Sequence, residues 1–317
     1  MKELFKLIQK NPGYFIKRFN QKLRYNIQDL YLLHTNQVNP ELINKREFRV
    51  CGLRRSGNHA IINWIMKQTQ DKAVHINDIF IRENPFRACV EALSKEDPDF
   101  YWKAYRLKSN NLYCGNHSLD LLRKEANQKF LPKDLLLYSL EDYPLRLMNN
   151  KSILIKHRLF FGRSQEKRDI LILRDPFNLL SSRLNHKNIG LKTRCYFKSF
   201  AKVWVEYAKE FIGETNHLTN PKILINFNRW SSDREYRKTI AHILNIPFTD
   251  KGFNHVPNFG GGSSFNSKNQ NSFEVNQRWE IYQDHQVFRK IIANRTLKYY
   301  AKLIFPDLSD MVYRNTL

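Results

Sequence analysis

"FRVCGLRRSGNHAIINWI", residues 48–65, decides how the rest of this chain is read. An apolar run ends in Gly52-Leu53-Arg54-Arg55-Ser56-Gly57, and a helical apolar pattern starts at once with Asn58. Gly52 and Gly57 have four residues between them, the G-x-x-x-x-G frame of a phosphate-binding loop. Backbone N–H groups in such a turn, backed by a helix N-terminus, form an anion site, and Arg54 and Arg55 add charge. A nucleotide triphosphatase needs Lys and then Ser or Thr after the second glycine, to reach the terminal phosphates and to hold magnesium. Here those places are taken by Asn58 and His59. The loop is therefore expected to hold a phosphate without a lysine–magnesium pair, and no metal is expected at the site.

The chain around this loop has 317 residues, enough for one large α/β domain or two small ones. Hydrophobic residues make up 42%, so a sizeable core can form and global disorder is excluded. Lys and Arg number 53 against 30 acids, a net charge of +23 that attracts anionic partners of any kind. No stretch shows a recognisable nucleic-acid module, so a nucleic acid is not the expected partner. Cys51, Cys89, Cys114 and Cys195 show no C-x-x-C spacing, which favours a reducing, cytoplasmic setting over a disulfide framework or metal cluster. No apolar run approaches the roughly 20 residues of a membrane span. Lys2, Lys6 and Lys10 interrupt the first residues, so they do not read as a signal peptide.

Strand and helix patterns alternate from residue 47. Strands are predicted at Glu47–Leu53, Ala73–Asn77, Leu135–Leu140, Ile153–Lys156, Asp169–Leu173 and Lys222–Phe227, and helices at Asn58–Gln68, Pro176–Asn185, Cys195–Phe211 and Asp233–Leu244. Further helices are predicted around 274–285 and 287–303. This order implies an α/β three-layer sandwich with a central, mostly parallel sheet and the phosphate-binding loop after its first strand. Residues 47–317 form one such domain, preceded by a basic amphipathic helical extension over 1–46. In that extension Phe15, Phe19, Leu23 and Ile27 recur every four residues among Lys and Arg. Three readings stay open: an amphipathic segment packed on the domain, a basic helix in peripheral contact with an anionic membrane, or a partner-binding or disordered segment.

A second segment, "DILILRDPFNLLSSR" at 169–183, carries chemistry as well. A buried strand ends at Arg174, Asp175 can cap a helix, and Pro176 suits its first turn. An Arg at a strand tip and a Ser on the next helix can converge on one phosphate.

Together these two segments resemble the sulfotransferases that use 3′-phosphoadenosine 5′-phosphosulfate (PAPS) as sulfuryl donor. Arg55-Ser56-Gly57 matches that family's 5′-phosphosulfate loop, and Arg174, Pro176 and Ser182 match its 3′-phosphate site. "NFGGGSSF", residues 258–265, fits the late phosphate loop. The resemblance implies a cofactor site of Arg54, Arg55, Ser56, Gly57, Asn58, His59, Ala60, Arg174, Ser182, Gly260, Gly261, Gly262 and Ser263. The family's Thr-Thr is Asn58-His59 here, and Ala60 stands where the cytosolic branch stacks a Trp on adenine, which leaves Trp64 or Trp230 as platform.

Transfer from such a donor builds charge on the oxygen bridging phosphorus and sulfur, where a fixed cation helps most, and Arg55 is the candidate. A base then takes the acceptor proton. The resemblance offers Asp78, 23 residues after Arg55, and His157, with Lys156 beside it as a further contact to the sulfuryl group. The implied activity is sulfuryl transfer to a hydroxyl or amine of a small-molecule or glycan acceptor, a carbohydrate or glycolipid being a reasonable class. Two other readings are another phosphate-loop phosphotransferase, which needs a carboxylate at a strand end for magnesium, and a non-enzymatic polyanion-binding protein. No apolar strand is read as ending in such a carboxylate except at Asp175, which the Arg-Asp-Pro context explains better.

Overall fold

The apolar run that leads into the loop is buried on both sides, as a central parallel strand must be. In the computed structural model this strand, β1 (Leu42–Gly52), lies between β4 (Lys133–Glu141) and β5 (Arg163–Leu173), parallel to both. The structure describes residues 12–34, 41–69, 73–79, 83–93, 113–114, 119–186, 199–253 and 275–316. β2 (Ala73–Ile76) extends the sheet beyond β4, and β6 (Lys222–Asn226) extends it beyond β5, both in parallel. A short β3 (Tyr113–Cys114) adds an antiparallel edge, giving the order β3-β2-β4-β1-β5-β6. The C-terminal ends of five parallel strands thus open on one edge, where an α/β sheet binds its ligands.

Alternate residues feed two cores, one on each face. Phe48, Val50, Leu137, Ile170 and Ile225 pack under α2 (Asn58–Gln68) through Ile61, Ile62 and Ile65. Cys51, Leu136, Tyr138, Leu140 and Leu171 pack on the other face under α5 (Lys151–Phe161), α6 (Pro176–Leu184) and α7 (Phe200–Phe211). This is the three-layer α/β arrangement that the alternating pattern implied. Between the loop strand and β4, the outer layers also hold α3 (Pro85–Leu93) and α4 (Leu119–Ala126). After β6 come α8 (Phe227–Ser232) and α9 (Arg234–Ile243). α10 (Gln286–Ile292), α11 (Arg295–Ile304) and α12 (Pro306–Thr316) follow the later turns, and α1 (Pro12–His34) precedes the sheet. β1 begins at Leu42, so residues 42–46 pair within the sheet. Cys51 and Cys89 are buried free thiols.

Three predicted elements change. Ile153–Lys156 is helical, within α5: its inward residues are Ile153, Phe160 and Phe161, a spacing that a four-residue apolar window does not reveal. The helix predicted over 287–303 is two helices, because the Asn294 side chain accepts from Leu297 N at 3.0 Å and starts α11 anew. The segment before it is a 3-10 turn, Arg278–Tyr282. The predicted late loop, with Gly260, Gly261, Gly262 and Ser263, lies outside the described residues.

One buried ion pair spans the centre of the sheet. Arg49 Nε and Nη2 donate to Asp169 Oδ1 and Oδ2 at 2.7 and 2.8 Å, and Asn220 N also donates to Asp169 Oδ2 at 3.2 Å. Asp169→Ala is expected to strand Arg49 in the core and to lower unfolding free energy by about 3–5 kcal/mol, read from the urea midpoint. The apolar double replacement Arg49→Met with Asp169→Leu is expected to recover most of that loss.

Candidate functional site: a phosphate loop between acids and arginines

The loop conformation follows from close packing. Gly57 has φ +92°, and a Cβ there would lie 1.9 Å from Phe227 Cε2. At Gly52 a Cβ would lie 2.0 Å from Asn58 Oδ1. Ser56 and Asn58 turn inward. Ser56 Oγ lies 2.6 Å from Leu53 O and 2.8 Å from Asn58 Oδ1, while Asn58 Nδ2 donates to Leu53 O and to Glu141 Oε1. The side chain that replaces the triphosphatase lysine therefore reaches sideways to β4. The backbone N–H groups of Ser56 and Ala60 are used within the turn, donating to Leu53 O and Gly57 O at 3.0 Å each, so neither residue offers the site a free backbone donor. His59 Nε2 lies 3.0 Å from Asn77 Oδ1 and 3.5 Å from Glu141 Oε1.

The adjacent arginines part company. Arg54 faces carboxylates: Asp78 Oδ2 at 3.4 Å, Glu141 Oε2 at 3.9 Å and Asp142 Oδ2 at 4.0 Å. Burial works against its charge, but these three acids outweigh burial and hold its pKa above the usual arginine value. Asp142 also accepts from Arg54 N at 3.0 Å and from the Arg183 guanidinium, and Arg183 Nε donates to Arg54 O at 3.1 Å.

Arg55 turns the other way. Its φ of +73° is a left-handed conformation that a non-glycine residue adopts only when its surroundings impose it. Arg55 Nε donates to Ser182 Oγ at 3.4 Å, and Arg55 O accepts from Arg174 Nη1 at 3.1 Å. Ser181, one residue earlier on α6, donates instead to Phe177 O. Arg174 is buried over the Phe227 ring, its Cζ 5.1 Å from the centroid, and its Nε has no hydrogen-bond acceptor among the described residues. Burial pushes its pKa down to about 9, and repulsion from Arg278 and Arg55 adds to the fall against the opposing pull of Asp175. Arg278 is likewise pushed down to about 10 by burial and by Arg55. His186 falls for the same two causes. Like charges buried side by side at a strand-end edge form a site for an anion.

Of the two candidate bases, the geometry brings one to the loop. Asp78 follows β2 with φ +46°, its N donates to Ser139 Oγ at 2.7 Å, and its carboxylate meets Arg54. His157 sits on α5, with Nε2 3.2 Å from Glu47 Oε1 and its ring beside Tyr138 and Phe161. Glu47 precedes Gly52 by five residues of β1, about 17 Å along the strand, so His157 is remote from Arg55. Burial disfavours the Glu47 charge, but His157, Lys167 and Ser164 outweigh it and bring its pKa down to about 2. His157 therefore takes part in a buried polar cluster. Lys156 lies close enough to Asp29 on α1 to stabilise that carboxylate, also away from the loop. Trp64 and Trp230 meet edge to face at 6.0 Å inside the core, and neither presents an open face for adenine.

Glu141, Asp142, Arg183, Arg278 and Phe227 complete the site without having been singled out in the sequence. For the two acids a signal existed: the apolar run "LLLYSL" ends in Glu141-Asp142. The carboxylate at a strand end that the phosphotransferase reading requires is thus present on β4, next to the loop strand. It is committed to Asn58, Arg54 and Arg183. Among the described residues no group of three or more His, Cys, Asp or Glu side chains is arranged to hold a metal ion.

No family model matches this chain, and no curated protein does. Among solved structures, the sulfotransferase domain from the Synechococcus PCC 7002 olefin synthase is similar over 87% of this chain and 97% of that domain, with 12% identity and a TM-score of 0.43. The sulfotransferase domain from the curacin biosynthetic pathway is similar over 66% of this chain and 76% of that domain, with 14% identity and a TM-score of 0.34. Superpositions this loose transfer no residue role to this chain.

Gly57→Ala forces a Cβ into the Phe227 ring at positive φ and is expected to destabilise the chain by about 1–3 kcal/mol. Gly213→Ala is the matched control, with φ +83° but nothing within 4 Å of the added Cβ. Thermal unfolding is expected to show a clearly larger drop for Gly57→Ala; equal drops would mean that the ring does not press on the loop.

Proposed function

We propose that the chain is a sulfotransferase that takes a sulfuryl group from 3′-phosphoadenosine 5′-phosphosulfate and passes it to a hydroxyl or amine of a small-molecule or glycan acceptor. One observation carries this reading: Arg55 and Ser182 meet at 3.4 Å while the buried Arg174 reaches the carbonyl of Arg55, so the two sequence motifs form one cationic pocket. The donor supplies the activated sulfuryl group and two separate anionic ends. The residues present fit those ends. The backbone N–H groups of Gly57, Asn58 and His59 at the start of α2 suit the 5′ end, with Arg55 beside it. Arg174, with its unsatisfied Nε, and Ser182 suit the 3′-phosphate, and Arg278 adds charge there. An arriving anion offsets the burial and the repulsion from Arg55 that lower the pKa values of Arg174 and Arg278.

In this reading Arg55 is held by Ser182 with its charge next to the loop, preorganised for charge that grows as the donor bond breaks. The acceptor oxygen or nitrogen bonds to sulfur as the bond from sulfur to the phosphate oxygen breaks, and the acceptor proton passes to Asp78. Arg54 keeps the Asp78 carboxylate in place at the sheet edge. A carbohydrate or glycolipid is a reasonable acceptor class, and a net charge of +23 would suit an acidic one.

Calorimetric titration separates this reading from the phosphotransferase one, which the β4 acids favour. The bisphosphate product, 3′-phosphoadenosine 5′-phosphate, is expected to bind without metal and to stabilise the fold by about 2.7 kcal/mol at a hundredfold excess over Kd. Binding of ATP with magnesium, and none of the bisphosphate, would replace the proposal. Arg174→Ala is expected to cost about 1.5–3 kcal/mol of the preference for the 3′-phosphorylated nucleotide over AMP, and Ser182→Ala about 0.5–1.5 kcal/mol.

The base and the cation separate in kinetics. Arg55→Ala is expected to slow turnover by about a hundredfold to a thousandfold with a smaller loss of product affinity. Asp78→Asn is expected to keep donor affinity while transfer falls about a hundredfold. His157→Ala is expected to lower stability and leave the transfer rate of the folded protein unchanged. Loss of transfer in His157→Ala with near-parental activity in Asp78→Asn would reverse the base assignment.

A further inference from the structure

The amphipathic helix α1 turns its apolar stripe away from the domain. It docks through another side: Asp29 is buried and accepts from Arg87 Nη1 at 2.7 Å, the Arg87 guanidinium lies over the Tyr25 ring at 4.8 Å, and Leu32 packs on the core. Ile16, Phe19, Leu23, Ile27 and Leu30 recur at helical spacing and are 49–66% exposed, with Tyr31 at their margin. They form a continuous apolar line along a 23-residue helix about 35 Å long. Lys22 and Arg24 stand roughly 100° to either side of Leu23. Both are exposed, and Lys22 meets Glu83 at 3.3 Å. The only acid in α1 is the buried Asp29, so the helix shows no carboxylate to the outside. α5, which packs against α1, exposes Leu154 and Ile155 with Lys151 and Arg158 on the same helix. No helix among the described residues is long and apolar enough to cross a membrane.

An outward apolar line with Lys22 and Arg24 on its flanks, on a helix with no exposed acid of its own and with Glu83 as the acid that meets Lys22, has a defined complement. Pairing two copies stripe to stripe would set Lys22 and Arg24 of one copy against those of the other, a repulsive arrangement. A surface of anionic lipid headgroups reverses that sign and takes the apolar side chains into the acyl boundary. We propose that α1 lies in the interface of an anionic membrane, with Ile16, Phe19, Leu23, Ile27 and Leu30 inserted and Lys22 and Arg24 at the headgroups. The side carrying Tyr25, Asp29 and Leu32 stays locked to the domain, so the whole α/β body is carried at the membrane surface.

Sedimentation of the full chain with vesicles tests this. Binding is expected to phosphatidylcholine vesicles containing phosphatidylserine, to weaken with added salt, and to be much weaker on phosphatidylcholine alone. Phe19→Ser with Leu23→Ser and Ile27→Ser is expected to lower partitioning by about a hundredfold or more, since each is a large apolar side chain lost from the inserted line. Arg24→Glu is expected to lower it about tenfold or more on the anionic vesicles and to leave the neutral ones unaffected. All four positions are exposed, so unchanged thermal unfolding certifies the fold of the variants. The proposal is overturned if the parent chain does not sediment with anionic vesicles or if the triple variant binds as the parent does. A lipid-free dimer that the triple variant abolishes, with no vesicle binding, would assign the stripe to a second copy instead.

Discussion

Asp142 is a carboxylate with no solvent exposure, one residue beyond β4, and the site is built around its need for partners. Its Oδ1 accepts from Arg54 N and from Arg183, and its own N donates to Gly52 O at 3.1 Å. A charge buried to this depth is tolerated only when paired and hydrogen-bonded. Satisfying it joins the end of β1, the end of β4 and helix α6 at one point. The loop has little freedom left after that: Arg54 is drawn toward β4, Gly57 is pressed against Phe227, and Arg55 is left in the left-handed region facing α6.

The outcome is a separation of charge across one turn of backbone. On the β4 side Asp78, Glu141 and Asp142 neutralise Arg54. On the β5 side Arg55, Arg174 and Arg278 repel one another, and burial and this proximity lower the pKa values of Arg174 and Arg278. An anion is attracted to the second side and rejected by the first. A proton acceptor belongs on the first side and would be neutralised on the second. The two tasks of the proposed reaction, holding a doubly phosphorylated donor and taking up a proton, would thereby get opposite fields within a few residues. The same split explains why Asn58 can stand where a triphosphatase has lysine. With Glu141 as its partner, Asn58 closes the acidic side instead of reaching a phosphate.

The middle of the sheet follows another rule. There Glu47, His157, Lys167, Arg49 and Asp169 form a buried polar cluster in which each charge has a counterpart. Balanced charges in a core favour one register of β1 against β5, because a slipped strand would leave Arg49 or Glu47 unpaired. The imbalance at the loop end stands out against this balance and locates the functional edge.

Local sequence was enough for what depends on neighbours along the chain. The glycine frame of the loop, the helix that starts at Asn58, the strand that ends at Arg174 and the capped helix after it are set by short-range sterics and by apolar period. The order of strands and helices then implied the layered α/β fold. Period misled where the window was short or where the partner was unknown. Ile153–Lys156 reads as a strand until Phe160 and Phe161 are counted with it, and the apolar stripe of α1 reads as the docking face although Asp29 and Tyr25 hold the helix from another side. What the tertiary structure alone decided is the division of labour between two adjacent arginines, the arrival of Arg183 and Arg278 beside the loop, and the distance of His157 from it. Those depend on β4 and β5 lying on either side of β1, which brings residues some ninety to over two hundred positions away against the loop. Charge pairing acts through space, and spacing along the chain carries no record of which distant charge will arrive.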